Sequence, residues 1–128
     1  MKEIDRYKIL NKFDGHCAYC GCELLYKDMQ IDHVIPQAPF QSRVVNKWRV
    51  PEFLKHLDRY DFHHFDNLFP ACRVCNRWKS TMDLETFRQE LQRQLERANK
   101  TSANYRMAKR YRQIEETPRE IVFYFECF

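Results

Sequence analysis

Two cysteine pairs, Cys17-Ala-Tyr-Cys20 and Cys72-Arg-Val-Cys75, enclose the run Ile31-Asp32-His33-Val34-Ile35-Pro36, and Asn76 follows the last cysteine directly. Two CxxC pairs can bring four thiolates to one tetrahedral ion, with Zn–S about 2.3 Å. A redox motif would account for one pair and leave the other unexplained. Gly21 after Cys20 suits the tight turn of a knuckle, because it carries no Cβ. Cys17, Cys20, Cys72 and Cys75 are therefore expected to hold structural zinc, whose binding contributes on the order of 10 kcal/mol to folding. The standard spacing of Cys17 and Cys20 implies that Cys22 points away from the ion. Cys127 reads as a small buried hydrophobe.

The residues between the knuckles could cleave a phosphodiester. That reaction needs an activated water, a cation at the scissile phosphate and help for the leaving oxygen. A neutral imidazole is the usual base near pH 7, and His33 supplies one. A hard cation such as Mg²⁺ or Mn²⁺ takes oxygen ligands, often only one or two from protein, and Asp32 and Asn76 carry such oxygens. Adjacent residues of a regular strand point to opposite faces. Convergence of Asp32 and His33 therefore requires an irregular strand end, with which Pro36 is consistent. Ligation at Cys75 would hold Asn76 near this strand, so that zinc shapes the site and a second metal does the chemistry.

Cys17-x-x-Cys20-Gly21, Ile31-Asp32-His33-Val34-Ile35-Pro36, Asn67-Leu68 and Cys72-x-x-Cys75-Asn76-x-x-Lys79 together resemble the HNH nucleases of the zinc-knuckle type, over about residues 13–90. The resemblance implies an α+β fold with a ββα-metal core, two strands and a helix around a divalent ion. It implies that His33 is the general base, that Asp32 and Asn76 bind the catalytic metal, and that Asn67 orients His33 by holding its ring or its local backbone. The last family position is often histidine and here is Asn76, which still offers an oxygen. Arg77 and Lys79 read as phosphate contacts. His63 and His64 read as ordinary, partly exposed side chains.

A chain of 128 residues reads as one domain. The aromatic content of 15% and the presence of only two glycines argue for a packed fold over a disordered linker. No apolar run approaches the ~18 residues of a transmembrane helix. The charged N-terminus lacks the apolar centre of a signal peptide, which predicts an intracellular, cytoplasmic protein with reduced thiols. Net charge is +4, and residues 84–119, with nine Lys/Arg against five Asp/Glu, account for it. Arg97, Lys100, Arg106, Lys109, Arg110 and Arg112 fall within 97–113 with no acidic residue among them, a stretch suited to a phosphate backbone.

The periodicity predicts a short helix over 3–12 with Ile4, Tyr7 and Leu10 on one side. A hairpin is expected from strands near Glu23–Tyr26 and Gln30–Val34, ended by Pro36 and Pro39. A helix over about 51–60 starts at Pro51. Asn67 to Pro70 is extended, and a short helix begins at Asn76. Asp83 caps a helix whose apolar stripe runs from Leu84 to Ala98. A further helix over 103–115 turns Met107, Tyr111 and Ile114 inward and is stopped by Pro118. Ile121–Phe128 is a C-terminal strand docked on the domain.

These elements predict a metal-dependent endonuclease acting on DNA, with little base readout of its own because no recognition module is present. Specificity would come from a homodimer or a partner protein. Metal-assisted hydrolysis does not by itself distinguish DNA from RNA. A zinc-ribbon module that grips nucleic acid or protein without cleaving it shares the cysteines and the basic stretch, but leaves Asp32, His33 and Asn76 unexplained.

Overall fold

The computed structural model describes residues 4–37, 48–58 and 60–128. Pro39, expected to end the hairpin, lies outside them. Helix α1, Arg6–Leu10, is capped by the Asp5 carboxylate, which accepts the Lys8 N–H at 3.2 Å. It runs into a 3₁₀ turn, Asn11–Phe13. Ile9 and Phe13 are the buried residues here. Tyr7, expected inward, is exposed and stacks on Tyr26 at 4.3 Å. The Lys12 ammonium donates to the carbonyls of Phe65 and Leu68 at 2.8 and 3.1 Å, tying α1 to the segment that carries Asn67.

Strand β1, Gln30–His33, pairs antiparallel with β2, Leu68–Ala71, in the register Ile31↔Pro70, Asp32↔Phe69 and His33↔Leu68. The partner of β1 is therefore not Glu23–Tyr26. The amides of Asp28 and Met29 both donate to Leu25 O, at 3.0 and 3.1 Å, and curl that segment into a turn. Glu23 keeps one isolated bridge, to His16. All four residues of β2 are buried, whereas Leu25 and Tyr26 are exposed, so pairing with β2 covers more apolar surface. Pro70 is tolerated because the sheet has two strands and both are edges. Its carbonyl accepts the Ala18 N–H at 2.8 Å, which docks the first knuckle on β2.

Helix α2, Arg73–Lys79, starts a turn earlier than expected, because the Cys72 sulfur caps it by accepting the Cys75 N–H at 3.4 Å. Asn76 thus sits inside the helix. Ser80, at φ 48°, ends it in the left-handed region. Pro51 precedes only a 3₁₀ turn, Glu52–Leu54, rather than a full helix. Asp83 caps α3, Leu84–Gln92, by accepting the Thr86 N–H at 2.7 Å. A break at Arg93 separates α3 from α4, Gln94–Thr101, where one continuous stripe was expected. Ser102 caps α5, Ala103–Arg110. Met107 and Tyr111 are exposed, not inward. The α5 segment is held by polar bonds rather than burial: Arg106 donates to the carbonyls of Asn99 and Lys100, and Lys109 pairs with Glu116 at 2.8 Å.

The expected C-terminal strand is instead a 3₁₀ turn, Tyr124–Cys127, with Cys127 exposed. Its docking partner is the knuckle: Tyr124 N–H donates to Tyr19 O at 3.0 Å and Phe125 N–H to Ala18 O at 2.8 Å. A tight knuckle offers two carbonyls but no extended edge along which a ladder could grow. The strand-forming aromatics are used for packing, Phe123 stacking on Phe87 at 5.4 Å. Arg88 fastens the tail to α3 through a fork to Glu126 at 2.7 and 2.8 Å. The fold is thus helices around a small two-stranded sheet, with the core formed where β1, β2, the first knuckle, α3 and Phe123 meet. No helix among the described residues is long and apolar enough to cross a membrane.

Candidate cysteine cluster and histidine site

The ligand atoms of Cys17, Cys20, Cys72 and Cys75 all lie within 4.8 Å of one another. Cys20 Sγ and Cys72 Sγ are 3.9 Å apart, far beyond the ~2.05 Å of a disulfide. A tetrahedral ion with Zn–S about 2.3 Å requires sulfurs about 3.8 Å apart. Backbone amides point at the sulfurs, Tyr19 N–H at Cys17 and Cys75 N–H at Cys72, each at 3.4 Å. Gly21 closes the first knuckle at φ 79°, and a Cβ there would meet the Tyr124 ring at 3.1 Å. A hydrogen bond from Cys75, opposed by burial, draws the Cys17 thiol down to about 4, while the same contact pushes Cys75 up. Such a crowded set of thiols is a donor set for a soft, tetrahedral dication. The four cysteines are positioned to bind a metal ion, and structural zinc fits them. Cys22 does not point clear of this group: burial, then contact with Cys20 and Cys72, pushes its thiol up to about 12.

The irregular strand end expected at Asp32 and His33 is not formed: β1 stays regular through His33, so the two side chains leave it on opposite faces. Asp32 faces inward. Its carboxylate accepts the Tyr19 hydroxyl and pairs through the same oxygen, Oδ2, with the Lys79 ammonium at 3.3 Å. Burial pushes the Asp32 carboxyl up and the Lys79 ammonium down, and each is drawn back by the other. Lys79 was expected to contact phosphate. It is 0% exposed, and its ammonium also donates to Val34 O at 3.1 Å, so it serves as an internal strut and does not reach a ligand's backbone.

Asn76, three residues before Lys79, faces the same side of β1, where its Nδ2 donates to Gln30 Oε1 at 2.7 Å. The second oxygen of Asp32 and Oδ1 of Asn76 accept no hydrogen bond from any described residue. No fully buried side-chain oxygen among those residues lacks a partner, so both oxygens touch solvent. The structure thus brings Asp32 and Asn76 to one β1–α2 interface, and His33 to the other face of the strand.

On that face the His33 ring stacks on Phe62, with centroids 4.0 Å apart and planes within 14°. Its Nε2 lies 3.1 Å from Nδ1 of His63. Burial, with His63 and Lys79 nearby, lowers His33 from 6.5 to about 4, which keeps the ring neutral at pH 7. Asn67 is fully buried behind it. Its Oδ1 accepts the Ile35 N–H at 2.8 Å, its Nδ2 donates to the carbonyls of Ile35 and Phe62 at 3.2 and 3.0 Å, and its own carbonyl accepts Val34 N–H at 2.9 Å. Asn67 therefore locks the backbone that follows His33 to the residue that stacks on it. His63, expected from the sequence to be an ordinary, partly exposed side chain, is instead a direct neighbour of the His33 ring.

Half of the basic stretch is neutralised locally. Arg97 pairs with Glu90, Lys100 with Glu96 at 3.1 Å, and Lys109 with Glu116. Arg106 is spent on carbonyls, as above. Arg110 and Arg112, and Arg77 on the outer face of α2, are exposed with no ion pair among the described residues.

No family model and no solved structure matches the chain. Over 84 residues, 64% of the chain, it is 30% identical to the Septu protein PtuB of Bacillus thuringiensis. The matched region is 26% of that protein, so the chain spans about a quarter of the length of the curated relative it matches.

Proposed function

We propose that this chain is a metal-dependent endonuclease of the HNH type that hydrolyses phosphodiester bonds of DNA. The observation that carries the reading is His33: a neutral, half-exposed imidazole at the end of β1, with the chain after it clamped by Asn67. The chain order strand, strand, helix, with α2 bonded to β1 through Lys79 and Asn76, supports a ββα-metal core. In this reading His33 takes a proton from water and so generates the nucleophile. A divalent cation, Mg²⁺ or Mn²⁺, supplies charge neutralisation at the scissile phosphate when bound. Asp32 and Asn76, on the other face of β1 from the His33 ring, would offer it oxygens, a hard donor set that suits such an ion, and the end of β1 would have to turn for that ion and His33 to act on one phosphate. The cysteine cluster, loaded with zinc, fixes the start of α2 and with it Asn76. Arg77, Arg110 and Arg112 are the cations left to meet backbone phosphate. Specificity comes from a second copy or a partner protein.

A second reading, a non-catalytic zinc-ribbon module for nucleic acid or protein, is favoured by two observations: one Asp32 oxygen is already engaged by Tyr19 and Lys79, and Asp32 and His33 leave β1 on opposite faces. A plasmid-nicking assay with Mg²⁺ and Mn²⁺ separates the two. The endonuclease reading expects cleavage by the wild type and its loss in His33→Ala at unchanged fold and zinc content. Equal inertness of both proteins across several divalent ions, on DNA and on RNA, would establish the binding module.

A further inference from the structure

The one polar contact of the His33 ring among the described residues is His63, and the endonuclease reading gives that contact no role. His63 sits on the exposed segment between Phe62 and the 3₁₀ turn Phe65–Asn67. Its Nδ1 lies 3.1 Å from His33 Nε2. Phe62 stacks on the His33 ring, and the Phe62 carbonyl is held by Asn67, so the residue just before His63 is anchored from two directions. His63 also borders an open cavity of about 450 Å³ lined by Asp5, Lys8 and Ile9 of the α1 region together with Phe65 and Leu68.

A single proton lies in the hydrogen bond between the two rings, and its ownership decides what His33 can do. If His63 Nδ1–H donates, it occupies the Nε2 lone pair of His33 and leaves Nδ1–H on the other side, so no lone pair remains for water. If His33 Nε2–H donates, Nδ1 of His33 keeps a lone pair directed away from His63. Only the second arrangement leaves a base. We propose that His63 is the positioning residue of His33: its Nδ1 accepts the His33 Nε2–H, holds the ring in that tautomer and plane, and leaves His33 Nδ1 to take the proton from water. The role resembles that of any group that orients a base through its second nitrogen. The proton taken from water ends on His33 Nδ1, and the Nε2–H bond to His63 is not broken. The inference rests on the endonuclease reading for its chemistry, but the His33–His63 hydrogen bond can be tested separately.

The geometry makes an uncommon demand of the rescue variant. The hydrogen bond uses Nδ1, the ring atom bonded to Cγ, and an asparagine Oδ1 is likewise bonded to Cγ. Glutamine instead carries its amide one carbon further out, where Nε2 lies. His63→Asn is therefore expected to keep acceptor and tautomer, and His63→Gln to lose them.

The experiment measures kcat and KM for Mn²⁺-dependent cleavage of a DNA duplex by wild type, His63→Ala, His63→Asn and His63→Gln. Long-range ¹H–¹⁵N spectra of the same proteins report the tautomer of His33. His63→Ala should lower kcat by about 10–100-fold with KM little changed, the scale of losing a group that orients a catalytic imidazole. His63→Asn should recover most of kcat, His63→Gln should not, and His33 should carry its proton on Nε2 in wild type and His63→Asn alone. Wild-type kcat in His63→Ala, equal behaviour of the Asn and Gln variants, or an Nδ1–H tautomer in the wild type would each overturn the proposal. A catalytically inert wild type that still shows the fixed tautomer would sink the endonuclease reading and leave the His33–His63 hydrogen bond standing.

Discussion

The hydroxyl of Tyr19, a residue carried between two zinc-ligand positions, donates to the carboxylate of Asp32 on β1. The first knuckle is thereby wired to the strand that bears His33, and Lys79 of α2 completes the junction from the other side. Three elements meet on one buried carboxylate oxygen. Removing a single partner leaves a charge or a donor stranded in the core, where it cannot be hydrated.

Asp32→Ala is accordingly expected to do more than weaken the catalytic metal that the endonuclease reading places there. It leaves the Lys79 ammonium buried and unpaired, which costs about 3–5 kcal/mol of stability by the behaviour of broken buried ion pairs. The double variant Asp32→Ala/Lys79→Met should recover most of that loss in urea denaturation while regaining no nuclease activity. Equal midpoints for the single and double variants would show that the pair contributes nothing to the fold. Tyr19→Phe should be milder, about 1–3 kcal/mol, the range for leaving a buried polar partner unsatisfied, with zinc content unchanged by metal analysis.

Chelation should unfold the protein, because the cluster joins residues 17–20 to 72–75 and also supplies the Cys72 cap of α2. Binding of structural zinc contributes on the order of 10 kcal/mol in apparent terms, comparable to the whole stability of a small domain. Metal analysis is expected to find a single zinc per chain, and Cys72→Ser to lose it together with its circular-dichroism transition. A folded, zinc-free Cys72→Ser protein would refute the structural role. Cys22→Ser should retain the metal, although Cys22 lies beside Cys20 and Cys72.

What was legible in the sequence was local or covalently spaced. The ligand quartet follows from two CxxC spacings, and the Asp83 cap from a carboxylate placed one residue before an apolar stripe. What was not legible depended on competition between distant segments. Glu23–Tyr26 and Leu68–Ala71 both look able to pair with β1, and the choice goes to the segment that buries all four of its residues. Lys79 looks like a phosphate ligand from its charge alone. Its fate is decided by Asp32, far away in the chain, which no local pattern links to it. The aromatic tail has strand-forming residues, but the surface that receives it is a turn, and the two carbonyls it presents dictate a 3₁₀ turn. His63 reads as an ordinary side chain for the same reason: its meaning comes from a ring on another segment.

The lowered His33 pKa fixes a pH dependence with a definite sign. The folded ring protonates near 4 and the unfolded ring near 6.5, so between those values the unfolded chain binds more protons. The His33 contribution therefore makes stability fall as pH drops through this window and level off below about 4. His33→Gln should flatten that slope relative to wild type in denaturation curves collected across the window. Imidazole resonances should place the His33 midpoint near 4 in the native protein, and a midpoint near 6.5 would remove the argument that the ring is held neutral.

The basic residues should divide into two classes when tested against DNA. Arg97, Lys100 and Lys109 already face Glu90, Glu96 and Glu116, so a phosphate must compete with a carboxylate for each of them. Arg77, Arg110 and Arg112 are exposed without such partners among the described residues, and can release counterions from the backbone. Replacing one of these three by glutamine should lower affinity for all sequences alike and reduce the salt slope by about 0.9 for each phosphate that is no longer neutralised. Arg97→Gln and Lys100→Gln should change the slope much less. Binding measured from low to physiological salt by fluorescence anisotropy distinguishes the classes. If Arg97 and Lys100 carried the slope and Arg110 and Arg112 did not, the DNA would have to run along α4, displacing its ion pairs, and not past the end of α5.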